Sequence, residues 1–164
     1  MKDYMWNMQP NMPLTKQLAK RDVPALVYDA VNLEGVAMTL PEVQTILDGI
    51  TVGGHRISDQ NMAMNQAKTW EYIFDLVSQG AFFFNKDTVL KIHDIAGKEE
   101  TLERGRFRSG YVSITGSEYE PAEPTELELK WYEVEEQVNA EKYVYDQAIT
   151  AFYKWLATNF LGCK

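Results

Sequence analysis

The stretch NLEGVAMTLPEVQTIL, Asn32 to Leu47, decides how this chain folds. Gly35 is the expected stop of one helix, because glycine enters the left-handed conformation that closes a helix without a Cβ penalty. Thr39 opens the next helix, with Pro41 and Glu42 in its first turn. Proline loses nothing there, since the first N–H groups have no helical partner, and the glutamate favours the positive end of the helix dipole. That second helix should end near Gly49.

Upstream, DVPALVYDAVNLEG follows a proline-punctuated arm and reads as a helix with Asp22 as N-cap. Downstream, ITVGGHRIS is a loop or short hairpin turned by Gly53 and Gly54. A long helix is expected from Ser58, since Ala63, Ala67, Trp70, Phe74 and Val77 share one face at spacings of 4, 3, 4 and 3. Another is expected from about Asp87, with Val89, Ile92 and Ala96 pointing inward.

The periodicity changes once. RFRSGYVSITGSEYEP alternates and is rich in Tyr, Val, Ile and Thr, which predicts a strand pair with turn or bulge points at Gly110 and Gly116. Pro121 and Pro124 close it and lead into a helix carrying Leu127, Trp131, Val134 and Val138. The last helix repeats Tyr145, Ile149, Phe152 and Leu156. The expectation is a single all-α domain with one β-hairpin.

Composition narrows the function classes. The chain has 164 residues, is 45% hydrophobic and carries a net charge of −8. That is enough for one real core, and the acidic balance speaks against nucleic-acid or anionic-membrane partners, which need clustered Lys and Arg. A lone cysteine, Cys163, forms no disulfide within the chain and suits a reducing compartment. The opening MKDYMWNMQPNMP lacks the apolar run of a signal peptide, and no stretch approaches the ~20 apolar residues of a membrane span. A soluble cytoplasmic protein is expected. His55 and His93 are the only histidines, and neither has a second ligand at metal spacing, so no metal site is assigned. His93 reads as a packed or surface residue. TVGGHRIS is no P-loop, and Cys163 has no histidine partner that would activate it.

Two segments resemble the Fic family over roughly Val23 to Phe160. AVNLEG resembles its inhibitory motif [S/T]-x-x-x-E-[G/N], and GRFRSGYVSITGSEYEP resembles its flap, with VLKIHDIAG before it at the expected distance. The resemblance implies a helical domain that moves AMP from ATP onto a Ser, Thr or Tyr hydroxyl of a protein. It also implies ATP and Mg²⁺ as cofactors, Glu34 and Gly35 as inhibitory positions, and Val112, Ser113, Ile114 and Thr115 as the flap edge that docks a protein substrate. Ala30 departs from the motif, where a hydroxyl is expected. The family's catalytic loop, H-P-F-x-[D/E]-G-N-[G/K]-R, is not among these residues, which close on ATNFLGCK. No residue here is therefore assigned as catalytic, and the chain by itself is expected to be inactive; a non-catalytic binding or regulatory module is the alternative.

The expected division is an arm and inhibitory helix over 1–35, a helical core over 36–104, the flap over 105–121 and C-terminal helices over 122–164. The helices that follow the catalytic loop in the family would be missing. The face of the last helix is then left without cover, which predicts self-association as a homodimer with Trp155 near its centre.

Overall fold

In the computed structural model, residues 11–113, 116 and 118–161 are described, apart from the side chains of Leu156 and Ala157. They form six α-helices: α1 Met12–Leu33, α2 Leu40–Leu47, α3 Ile57–Ser78, α4 Lys86–Ala96, α5 Leu127–Ala140 and α6 Val144–Thr158. One 3₁₀ turn extends α4 and another, Pro124–Glu126, leads into α5. The fold is all-α.

Two aromatic and aliphatic clusters hold it together. The first joins α1, α2 and α3 through Val27, Val31, Met38, Val43, Ile46, Ala63 and Ala67. The second lies under α5 and α6 and is built on Leu127, Trp131, Val134, Val138 and Phe160. The indole of Trp131 is fully buried, with Phe84, Phe107, Phe160 and Trp155 at ring-centroid distances of 5.4, 5.8, 5.5 and 6.2 Å. Offset and edge-on contacts of this kind add to plain burial. α3 packs on α1, α2 and α4.

Helix α1 starts at Met12, not after Asp22. The Asn11 carboxamide accepts the Leu14 N–H at 3.1 Å, and Pro24 lies inside the helix. A proline there removes the bond to the carbonyl four residues back, on exposed Lys20. Helix α3 begins one residue before Ser58, and α4 is capped by the Asn85 carboxamide on the Thr88 N–H at 2.8 Å. On α4 the residues expected inward, Val89, Ile92 and Ala96, are half-buried; Thr88 and His93 are the buried ones. ITVGGHRIS is a loop, tied down where Gln60 pairs with both backbone groups of Val52 at 3.1 Å.

The expected hairpin does not form a strand pair among the described residues. Its opening residues satisfy their polar groups on side chains instead of on a ladder. Glu103 takes the Ser109 N–H at 2.6 Å and its hydroxyl at 2.5 Å, and Arg108 closes the base of the segment. Pro121 and Pro124 remove two donors from its far end.

Helix α2 has the capping box that its sequence announces. The Thr39 N–H and hydroxyl both donate to Glu42 Oε2 at 2.7 Å, and His55 Nε2 lies 3.2 Å from Oε1. The Thr39 hydroxyl, its backbone N–H and His55 together hold the Glu42 carboxyl at about 2, against an ordinary 4.5. A depressed carboxyl contributes stability that is fully present above its unfolded value and is lost as pH falls through its folded one. Glu42→Ala is therefore expected to destabilise the chain at pH 7 and to cost progressively less between pH 4.5 and about 2. Urea titrations of both proteins across that range check this; a difference that does not change with pH would remove the capping carboxylate from the account.

Candidate functional site: the α1–α2 turn and the Arg108 joint

Glu34 is the C-cap of α1, and its side chain is exposed with no hydrogen-bond or ion-pair partner among the described residues. Gly35 follows at φ +82°, a conformation that favours glycine. The Val36 N–H returns to the Val31 carbonyl and the Gly35 N–H to the Asn32 carbonyl, both at 3.0 Å, which is the Schellman closure. Asn32 adds a second lock. Its carboxamide nitrogen donates to the Tyr28 carbonyl at 2.8 Å and to the Met38 carbonyl at 3.1 Å. One side chain thus fastens the last turn of α1 to the residues that enter α2. Ala30 offers no hydroxyl at this helix end, and the Asn32 carboxamide is the side chain that anchors it.

The second place is the base of the 110–122 loop. Arg108 is 3% exposed, with its guanidinium spread over three carbonyls: Nε to Asn159 at 2.8 Å, Nη1 to Gly110 at 2.9 Å and Nη2 to Ala122. Its own N–H donates to the Phe160 carbonyl at 3.1 Å. Burial pulls the guanidinium below its ordinary value, and it stays charged because arginine titrates far above neutrality. This one residue ties together the start of the loop, its end and the C-terminus of α6. Asn159 caps α6 in the left-handed conformation at φ 50°, which presents its carbonyl to Arg108.

Two further residues fix the approach to this joint. His93 Nδ1 accepts the Gly105 N–H at 3.3 Å, so the ring proton is on Nε2, which is buried without a partner. Burial lowers the His93 pKa, which keeps the ring neutral in this role. Gly105 sits at φ +67°, and a Cβ there would come within 3.0 Å of Asp94 Cβ. Glu103 is held below the usual carboxylate range by the Ser109 hydroxyl and N–H and by Arg106.

Of the flap positions, Val112 is half-buried and Ser113 is exposed; Ile114 and Thr115 lie outside the described residues, as does Cys163. No backbone hydrogen bond joins Val112 or Ser113 to the backbone of another described residue. Glu34 stands by the first cluster and the Arg108 joint by the second, and no hydrogen bond or ion pair among the described residues joins the two places. Among the described residues no group of three or more His, Cys, Asp or Glu could hold a metal ion. No described helix is long and apolar enough to cross a membrane. Sequence reasoning missed Arg108 and Asn32. An arginine inside an apolar, alternating run and an asparagine three residues before a helix-stopping glycine are the signals that could have found them.

No protein-family model matches this chain. It is similar to the protein adenylyltransferase Fic of Aedes aegypti, 29% identical over 135 residues, which is 80% of this chain and 26% of that protein. The same protein of Drosophila mojavensis is 27% identical over 118 residues, 71% of this chain and 23% of its own length. The fold superposes on a Fic family protein from Desulfovibrio desulfuricans G20 with a TM-score of 0.71 at 18% identity, covering 93% of this chain and 46% of that one. In sequence and in fold the chain is similar to Fic proteins. It spans about a quarter of the length of the curated Fic relatives it matches. The joint at Arg108 sets Gly110 and Ala122 against the end of α6, and the Asn32 lock sets the turn that bears Glu34 and Gly35.

Proposed function

We propose that this chain is the target-docking and inhibitory part of a Fic-type transferase that moves AMP from ATP onto a protein hydroxyl. The observation that carries the reading is the Arg108 joint. It anchors Val112 and Ser113, whose backbone pairs with the backbone of no other described residue, in a segment where an extended polypeptide would add itself as a strand. Main-chain pairing supplies affinity in that mode, and register decides which target residue reaches the chemistry. Glu34 supports the inhibitory half of the reading. Its carboxylate is free of partners among the described residues and leaves a turn locked by Asn32. A fixed negative charge of this kind repels a triphosphate and competes for its cationic partner.

The sequence has no glycine-rich phosphate loop. The base and the phosphate cradle belong to the loop H-P-F-x-[D/E]-G-N-[G/K]-R, which these residues lack.

Incubation with labelled ATP and Mg²⁺ tests the reading. The chain by itself is expected to label neither itself nor lysate proteins. A polypeptide continuing from this chain through that loop is expected to label a target, and Glu34→Gly to raise its rate severalfold. An unchanged rate at saturating ATP would take the inhibitory role from Glu34. Labelling by the 164 residues alone, abolished by changing one of them, would overturn the division of labour.

A further inference from the structure

We infer that His93 is an acid-released latch on the segment that leads from α4 to the Arg108 joint. Its ring is buried, and Nδ1 accepts the Gly105 N–H at 3.3 Å. The backbone of residues 102–107 makes no hydrogen bond to the backbone of another described residue, so the ring supplies a tie that no turn or ladder provides. Gly97 lets the 3₁₀ turn after α4 lie against the ring: a Cβ there would come within 3.3 Å of Nε2 and 2.7 Å of Thr101 Oγ1. Nε2 is closed off from solvent by residues of this chain and meets no acceptor among them. A proton on Nδ1 turns the acceptor into a donor that faces the Gly105 N–H. It also leaves a charged ring in a buried place with its Nε2–H unpartnered, which costs far more than burying the neutral ring. The closed arrangement excludes the proton, and the proton excludes the closed arrangement.

The surrounding charges do not reverse this. Asp94, the next residue on α4, attracts a protonated ring, but burial outweighs it, and Asp94 is shared with Lys91 at 3.1 Å and Arg104 at 3.5 Å. The 3₁₀ turn and its end carry Lys98, Glu99 and Glu100, and the segment carries Glu103, paired with Arg106 at 2.9 Å. Lys86 and Glu128 pair at the N-terminal end of α4. The buried polar residues of α3, Asn65 and Thr69, are uncharged, and its Lys68, Glu71 and Asp75 line the cleft shared with Lys20 of α1. The closed ring therefore takes its proton below the ordinary 6.5. Its contribution is fully present above 6.5 and is lost as pH falls from there through the ring's folded value. The Arg108 guanidinium does not titrate in that range, so acid frees the Gly105 tie and leaves the joint closed. The latch works in the same way whether or not a polypeptide docks on the loop.

Nuclear magnetic resonance on the unmodified 164-residue chain reads both halves of the latch, from about pH 7.5 down to about pH 5. The ring ¹⁵N shifts of His93 are expected to show the proton on Nε2 at neutral pH and a titration below 6.5. Over the same range the protection of the Gly105 amide, corrected for its intrinsic exchange rate, should fall severalfold. The Arg108 amide, which donates to the Phe160 carbonyl, should keep its protection. His93→Asn places a carbonyl oxygen close to where Nδ1 stands and does not titrate, so it is expected to hold Gly105 with no such dependence on pH. His93→Leu offers no acceptor, and Gly105 should be weakly protected at every pH. If the leucine variant does not fold, the asparagine variant and the unmodified chain still decide. A ring that titrates at or above 6.5, a Gly105 amide indifferent to that titration, or an asparagine variant that follows the parent's pH profile would each overturn the proposal.

Discussion

Arg108→Met should destabilise the chain by about 3 kcal/mol, because it strands the carbonyls of Gly110, Ala122 and Asn159 that the guanidinium now satisfies. Methionine fills much of the same volume, so the loss reports the hydrogen bonds rather than a cavity. Arg108→Lys should recover less than half of it, since a point charge reaches one or two carbonyls where the planar fork reaches three. The local effect is larger than the global one. With the joint broken, the Gly110 and Ala122 ends of the loop separate, and amides from Arg108 to Val112 should exchange with solvent far faster than those of α3. Urea unfolding and hydrogen exchange check the two parts. A loss below about 1 kcal/mol would mean that water takes over the three carbonyls, and the loop would then owe its placement to something else.

Trp131→Ala should cost about 3–5 kcal/mol, the usual range for emptying a fully buried aromatic site. Trp131 is 0% exposed, and four other rings lean on it. Domains of this size are stable by only about 5–15 kcal/mol in total, so the variant is expected to melt far below the parent. Trp131→Phe keeps part of the packing and should cost clearly less. Thermal melts followed by circular dichroism test the pair. If alanine and phenylalanine cost the same, the ring stack is not the keystone of the second cluster.

These two residues show how differently the fold and its sites could be read in advance. Trp131 was legible: Leu127, Trp131, Val134 and Val138 recur at helical spacing, and all four are buried. Thr39, Pro41 and Glu42 announced the start of α2, and the capping box is present. Arg108 was not legible, because its partners are backbone carbonyls 51 and 14 residues away along the chain. No local pattern encodes which carbonyls will be left unsatisfied. Asn32 was half-legible. Its bond to Tyr28 is a local helix contact, but its bond to Met38 depends on where the chain goes after Gly35.

Local physics accounts for what the amino-acid order determined by itself. Helical periodicity, glycine stops and side-chain caps act over three or four residues, so the helix order and the α1–α2 turn follow from neighbours in the chain. The Fic resemblance also rests on such short segments. Tertiary structure decided the rest. The 107–121 stretch has the composition of a strand pair, yet no ladder forms among its described residues, because Arg108 and Glu103 satisfy polar groups at its base from outside the alternating pattern. Apolar residues lie on more than one side of α6 in sequence. Which of them meet Trp131 was settled only when α5 and α6 packed together, since burial depends on the partner surface and not on the residue alone.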